Sequence, residues 1–552
     1  MAKKKENSFL MQGAILAATA LITKIIGLAY RIPVTNIMGA EGNGYYGVVF
    51  QVYNLALMLT SYSLPMAVSK LVSARIATGQ YKNAYRVYKG AMAFAIVSGG
   101  LVTAVVFFGA DFIAADIMKV ELSAYALRVL APCILIVALL GVFRGFFQGY
   151  GTMMPTAFSQ TIEQIINAIV SIAGAYILLK VGQNMASGAN KKSYGAAYAA
   201  AGATLGTVMG AFVALLFLVI IFGAYKKILR RQMRRDTGHK RESGRYICKI
   251  LLFTIAPVIL SATVYNISNL LDQVVFTNIM AIQGVPEKEY TELLGMYSGQ
   301  YDTMTNIPLS VASALAASFM PSLVATIQTG KRKQIHEKIE LVSRFNMFIA
   351  VPCSAGFITL AKPILDLLYF TQDNTIPARL LQIGGVSVVF FCLSTVTNAA
   401  LQGLDHMSKP VKNAAISLVI HLIALYIMLV AFKWNIFSIV ASKIIFALAI
   451  CILNARDLRT ACSYVQEYKK TFVIPVISSV IMSIAALLVH LLFELFAGAR
   501  IATVFALFTA VIVYAVCLIL LGGVTERELN MLPKGGSIVR LLYKLHLLHG
   551  NA

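Results

Sequence analysis

Several ionisable side chains lie inside long runs of apolar residues. Lys24 and Arg31 occur in the first run, seven positions apart, which places them on one face of a helix and about 10.5 Å apart. A cation at the centre of a membrane costs about 2.5–3.5 kcal/mol on insertion scales, so its presence there predicts a function. In a hydrated cavity such cations could bind an anion through charge-assisted hydrogen bonds. Glu163 and Asp272 are acids at similar depth, and they could couple this binding to an ion or act as a gate.

Amide side chains extend the pattern at helical spacing. They recur at i, i+3, i+4 and i+7 in several runs, so each set lies on one helical face. Such faces could line one shared cavity, or each Asn or Gln could join two helices by a hydrogen bond, which is the commoner use of a lone amide in a membrane helix. The substrate-binding candidates are Lys24, Arg31, Gln51, Asn54, Arg144, Gln300 and Asn306; the gating or ion-coupling candidates are Asp272, Glu163 and Asn269; the candidates for a polar cavity lining are Gln160, Asn167 and Asn413.

The sequence carries none of the short motifs of common hydrolytic or nucleotide-binding sites. HExxH, GxxxxGK[ST] and GxSxG do not occur, and the seven cysteines are scattered without a CxxC pair. We therefore expect that the protein is not an enzyme and that it has no catalytic residue, no metal site and no cofactor.

The composition is that of a membrane protein with many spans. Hydrophobic residues make up 59% of the 552 residues and charged residues only 13%, about half the charged share of a soluble protein. Apolar runs of about 20 residues recur along the whole chain, and each is long enough to cross a membrane as a helix. Basic cytoplasmic loops explain the net charge of +24, so we expect no nucleic-acid partner.

Fourteen transmembrane helices are predicted, and the charges between them indicate the orientation. Basic and acidic connecting segments alternate, for example 70–89 against 109–122, and only 180–192 departs from the alternation. Since basic loops remain in the cytoplasm, both termini are predicted to be cytoplasmic. The predicted helices are 10–38, 45–73, 87–110, 123–149, 155–180, 196–225, 249–280, 296–326, 336–361, 378–403, 410–432, 436–456, 471–497 and 500–523.

The two sides of the basic segment 226–248 resemble each other. With an offset of 251, residues 44–82 align with 295–333 at eight identities in 39 positions, among them Gly44 with Gly295. We therefore predict an all-α protein of two pseudo-symmetric six-helix bundles, which would bind substrate between them and alternate access to it. The predicted divisions are 1–225 (helices 1–6), 226–248 (a basic linker, or a patch for anionic lipid), 249–460 (helices 7–12), 461–525 (helices 13 and 14) and 526–552 (a cytoplasmic tail).

Residues 23–79, which begin "TKIIGLAYRIPVTNIMG", resemble the start of the polysaccharide-biosynthesis flippases that include stage V sporulation protein B, in the multidrug/oligosaccharidyl-lipid/polysaccharide (MOP) exporter superfamily. "RGFFQGYGTMMPTAFSQTIEQIIN" (144–167) and "NISNLLDQVV" (266–275) resemble later parts of the same proteins. The resemblance implies fourteen helices in two V-shaped lobes, with helices 13 and 14 forming a groove for a lipid tail. It also implies a monomeric, multi-pass protein of the bacterial cytoplasmic membrane.

The function implied by the resemblance is that of a flippase for an undecaprenyl-pyrophosphate-linked cell-wall precursor similar to lipid II, in vegetative or sporulating cells. Transport to the outer leaflet would use alternating access and draw on Na⁺, H⁺ or the membrane potential. Lys24 matches the first cation of the family's "SRxxGxxR"-like motif, whereas Arg31 comes one position after the second. The pyrophosphate would bind the cations, the sugars the amides, and membrane lipids would surround the tail. The alternatives are a flippase for another lipid-linked polysaccharide repeat unit and a cation-coupled multidrug exporter.

Overall fold

A computed structural model describes residues 2–185, 188, 191–236, 240–328, 332–524, 526, 536, 539 and 540. No strand occurs among these residues, and the predicted all-α fold class is confirmed. The predicted tail 526–552 lies almost entirely outside the described residues, as do Thr329 and Gly330 of the repeat. The helices are α1 (Ala2–Thr60), α2 (Leu64–Ala77), α3 (Tyr81–Phe108), α4 (Ser123–Gly149), α5 (Met154–Met185), α6 (Lys191–Arg235), α7 (Gly244–Ile282), α8 (Glu287–Met296), α9 (Asp302–Gln328), α10 (Arg332–Thr359), α11 (Ala361–Leu368), α12 (Thr375–Gly403), α13 (Ser408–Val430), α14 (Phe437–Cys462), α15 (Ile474–Ala497) and α16 (Ala499–Leu520), with π-helical segments at Phe112–Ile117, Tyr297–Tyr301 and Lys469–Val473.

Helix α1 contains a single break at Gly39. This residue has φ 68° and ψ −178°, which a residue with a side chain rarely adopts, and the helix resumes directly after it. The Asn43 side chain spans the break, because its Nδ2 donates to the carbonyl oxygens of Thr35 (2.9 Å) and Gly39 (2.6 Å). The gap between the predicted spans 10–38 and 45–73 is thus reduced to one glycine, and the two spans meet there.

Within the described residues, 12 helical segments are long and apolar enough to cross a membrane. The first of them, Ile22–Ala77, has 56 residues and includes the break at Gly39 and the turn between α1 and α2. It contains part of the predicted span 10–38 and the whole of the predicted span 45–73, whereas α7 is not among the twelve. The multi-span architecture is therefore confirmed, and the count of fourteen stays a prediction.

The chain divides into two compact units, Met1–Gly299 and Gln300–Ala552. The first unit contains α1 to α8, so its limit differs from the basic linker at which the bundles were predicted to separate. The predicted limits of the bundles, the linker and the C-terminal helix pair stay predictions.

The first unit packs through aromatic rings at one place and through backbone contact at another. Tyr88, Phe143, Phe146 and Phe222, from α3, α4 and α6, place their ring centroids 4.8 to 5.8 Å apart. Along α5 and α6 a Cβ on Gly202 would collide with the carbonyl of Gly174. Such close approach through small residues is typical of helix pairs in membranes.

The second unit has an aliphatic core and ends in a helix hairpin. Leu323, Ile339 and Leu401 pack together between α9, α10 and α12. Ahead of α15, the pKa of the Glu467 carboxyl is lowered. Burial by itself would raise this pKa, but hydrogen bonds from the backbone N–H groups of residues 470 (2.8 Å) and 471 (2.9 Å) stabilise the charged carboxylate and have the larger effect. The hairpin of α15 and α16 turns at Gly498, where φ is 80°.

Candidate functional site

Four amide side chains line one cavity of the first unit. The cavity measures about 200 Å³ and lies between the second half of α1 and the middle of α7. Three of these amides are predicted site residues, and the fourth, Asn266, precedes Asn269 by three positions in α7. An amide both donates and accepts hydrogen bonds, as a sugar hydroxyl does. The lining residues are Gln51, Asn54, Asn266 and Asn269, together with Leu55, Met58, Tyr62, Ile267 and Leu270.

Arg144 and Glu163 form an ion pair between α4 and α5. Nη2 of Arg144 lies 2.6 Å from Oε2 of Glu163, and its Nε donates to Oγ of Ser159 at 3.0 Å. The two charged side chains are only 13% and 21% exposed, so water screens the pair weakly. The structure thus joins a predicted substrate-binding cation to a predicted ion-coupling acid. Ser159 was not among the candidates, although it precedes Glu163 by one helical turn.

The polar stripe of α5 faces α1 as well as α4. Nδ2 of Asn167 donates to Oη of Tyr30 (3.1 Å), and its Oδ1 accepts from Oγ of Ser171 (2.8 Å). Oε1 of Gln164 lies 3.7 Å from the position that a Cβ on Gly27 would take. Oε1 of Gln160 is buried, and no described residue forms a hydrogen bond with it. The spacing predicted one shared face, and the structure places that face inside the unit.

The two cations of α1 occupy different environments. Arg31 is partly buried, and its guanidinium carbon lies 3.9 Å from the ring centroid of Tyr46. Its Nη1 has no hydrogen-bond partner among the described residues. Such cation–π contact holds a guanidinium in place without neutralising it. Lys24 is exposed, and neither cation forms an ion pair with any residue that the structure describes. Tyr46 was not among the candidates; its match with Tyr297 in the repeat was the available signal.

The remaining candidates lie in separate places. Asp272 is buried in the first unit, at 1% exposure. In the second unit Gln300 is fully buried and donates from Nε2 to Oδ1 of Asn374 (2.6 Å). Asn413 donates from Nδ2 to Oδ1 of Asn454 (3.0 Å), and the exposed Asn306 donates to the carbonyl of the residue four positions earlier. The bonds of Gln300 and Asn413 agree with the alternative of packing between helices, and their roles in substrate binding stay predictions.

Helices α1 and α8 cross with their backbones in contact. A Cβ on Gly44 would collide with the carbonyl of Thr291, and a Cβ on Gly295 with the carbonyl of Ala40. The offset of 251 that relates the two copies of the repeat exchanges these two contacts, since it carries 40 to 291 and 44 to 295. The crossing therefore has local twofold symmetry, and only glycine fits at its two central positions.

Known proteins are similar to this chain along most of its length. Residues 9–327 match the family model described as polysaccharide biosynthesis protein. Lipid II flippase MurJ of Bacillus subtilis (strain 168) is 25% identical over 428 residues, 76% of this chain and 77% of the relative. Stage V sporulation protein B of the same organism is 24% identical over 412 residues, 74% of this chain and 76% of the relative. The solved structure of lipid II flippase MurJ in an inward closed conformation has a TM-score of 0.66 at 14% identity, covering 91% of this chain and 98% of that one.

Proposed function

Since the chain belongs to the polysaccharide biosynthesis protein family, we propose that it is a flippase for a lipid-linked, pyrophosphate-bearing saccharide precursor of the cell wall. The precursor would resemble lipid II and pass from the inner to the outer leaflet by alternating access. The protein would move its substrate without making or breaking a covalent bond. The two curated relatives, a lipid II flippase and a sporulation protein, support this class of cargo.

The cavity lined by four amides is the observation that carries the proposal. Sugar hydroxyls need partners that both donate and accept hydrogen bonds, and Gln51, Asn54, Asn266 and Asn269 provide them around one space. A hydrophobic drug cation would instead be matched by an apolar and acidic lining, so the cavity favours a saccharide over the multidrug alternative.

Cations for the pyrophosphate come from the same unit. Arg31 packs on the ring of Tyr46 and forms no ion pair with a described residue, so no acid compensates its charge there. The exposed Lys24 lies two helical turns earlier. Pyrophosphate accepts charge-assisted hydrogen bonds from such groups. Glu163 and Asp272 are the proposed ion-coupling residues, and α15 and α16 are proposed to guide the lipid tail.

Complementation tests the proposal. The chain is expressed in a strain whose own lipid II flippase can be depleted, and lipid-linked precursors are measured by mass spectrometry. We expect growth and normal precursor levels with the wild type, and precursor accumulation with Lys24→Ala or Arg31→Ala. Lys70→Ala, which removes an exposed lysine of α2, is the matched control and should complement fully.

If each of the two single variants, present at the wild-type protein level, supports growth of the depleted strain, the proposed role of the two cations is contradicted. Failure of the wild type would contradict lipid II as cargo. Deleting the chain in its own host and identifying the lipid-linked glycan that accumulates would then decide between lipid II and another repeat unit.

A further inference from the structure

A second polar cavity lies in the second unit, at the end of the α15–α16 hairpin. It measures about 140 Å³ and is lined by α11, the last turns of α15 and the first turn of α16. The hairpin turns at Gly498 between two apolar helices that are each long enough to span a membrane, so its end lies at the membrane surface. The ionisable lining residues are Lys362, Asp366, His490, Glu494 and Arg500.

Two of the charges in this cavity compensate each other. Nζ of Lys362 lies 3.0 Å from Oδ2 of Asp366, one helical turn along α11. Oδ1 of Asp366 also accepts a hydrogen bond from Nδ2 of Asn374 at 2.8 Å. Lys362 and Asp366 therefore neutralise each other and offer no net charge to a ligand.

Arg500 and Glu494 carry opposite charges that are not paired with each other. Among the described residues Arg500 forms no ion pair, and its guanidinium carbon lies 5.4 Å from the ring centroid of Phe370. Among the described residues, Glu494 has one ion-pair partner, His490. Nε2 of His490 lies 3.8 Å from Oε2 of Glu494, which is beyond hydrogen-bond distance. One cation and one anion therefore face the same cavity and are available to a ligand.

His490 adds a buried nitrogen that lacks a partner. The residue is 6% exposed and lines the cavity, and its Nδ1 has no hydrogen-bond partner in the part of the chain that the structure describes. A buried polar atom of this kind is costly unless a ligand or water satisfies it. Nδ1 has almost no accessible surface, so the imidazole lines the cavity with its other atoms.

We propose that this cavity binds the headgroup of a phospholipid that carries a phosphate and a primary ammonium group. Arg500 binds the phosphate, and the carboxylate of Glu494 accepts the N–H bonds of the ammonium group. A quaternary ammonium has no N–H to donate, and an anionic headgroup without an amine leaves Glu494 without a counter-charge. The acyl chains lie on the apolar surface of the hairpin, where Phe496 is 88% and Phe508 is 67% exposed.

Lipid selectivity of the purified, full-length protein tests the proposal. The delipidated protein in detergent is titrated with dioleoyl phosphatidylethanolamine, phosphatidylcholine or phosphatidylglycerol, and binding is measured by native mass spectrometry and by the shift in Tm. We expect tight binding and a raised Tm with phosphatidylethanolamine alone. Arg500→Gln and Glu494→Gln should each weaken this binding about tenfold, the effect of losing one charge-assisted hydrogen bond.

Arg379→Gln is the matched control, because it removes an exposed arginine of the same unit that does not line the cavity. Equal binding of phosphatidylcholine or phosphatidylglycerol by the wild type would overturn the proposal, and this comparison needs no variant to fold. Wild-type affinity in both cavity variants would overturn it as well. None of these outcomes depends on the cargo that the protein flips.

Discussion

At the scale of single residues, Arg144 and Glu163 are in contact, although the sequence analysis assigned them different roles. Arg144 was a candidate for binding substrate and Glu163 for coupling ions, yet the two side chains form one ion pair 2.6 Å long. A pyrophosphate that reached Arg144 would compete with Glu163 for the guanidinium. A cation or proton that reached Glu163 would release the guanidinium. We therefore expect that an anion binds Arg144 only when the pair with Glu163 is broken.

Neutralising either partner should destabilise the protein, because the other charge remains buried without compensation. Removing one member of a buried pair costs about 3–5 kcal/mol, and partial exposure places this pair toward the lower end. We expect Arg144→Gln and Glu163→Gln each to lower the Tm in detergent, and the double variant to recover part of the loss.

Arg128→Gln is the control, because Arg128 lies in α4 as Arg144 does and its ion pair with Asp111 is open to water. Water can replace the contacts of such a pair at little cost. It should change the Tm little. Losses that simply add in the double variant would show that Arg144 and Glu163 act independently and would contradict the coupling.

At the scale of helices, the crossing of α1 and α8 depends on the absence of side chains at two positions. Gly44 and Gly295 each face a backbone carbonyl of the other helix. Side chains near a collision can rotate away, but a carbonyl is held by its own helix. Any Cβ at either position must therefore push the two helices apart.

Gly295→Ala should lower the Tm and the flipping activity, although alanine is the better helix former by about 1 kcal/mol. Gly100→Ala is the matched control, since a Cβ at Gly100 in α3 meets nothing within 4 Å. The control should keep or raise the Tm. Equal behaviour of the two variants in thermal unfolding and complementation would contradict close packing at the crossing.

Helices were predictable from the sequence, but their contacts were less so. Runs of apolar residues predicted where the helices lie, and the i, i+3, i+4, i+7 spacing predicted that the polar residues of α5 share one face. The partner of Glu163 depends on how α4 and α5 are rotated against each other, which spacing within one helix does not determine. For the same reason the burial of Gln300 against Asn374 could not be foreseen.

At the scale of the whole molecule, the pattern of charges predicts the orientation in the membrane, which the helices alone do not determine. The helical architecture is compatible with either direction of insertion, because an apolar helix has no preferred direction in a membrane. Basic segments such as 70–89 and 331–344 indicate which ends remain in the cytoplasm. The lysines of 180–192 act against this orientation, and the other segments outweigh them.

Reporter fusions check the predicted orientation. A fluorescent protein that matures only in the cytoplasm should be bright when fused after Ala552 and dark when fused at position 285, between α7 and α8. Alkaline phosphatase, which is active only outside, should give the reverse pattern. Brightness at both positions or at neither would contradict the predicted topology.

The symmetric crossing of α1 and α8 has a consequence for the origin of the molecule. An ancestor with a single copy of the repeat could form the same crossing with a second chain, as the self-complementary contact of a twofold homodimer. In such a dimer every substitution altered both contacts together. A gene duplication would separate them, so that each could change alone, and the equivalent positions 40 and 291 hold alanine and threonine.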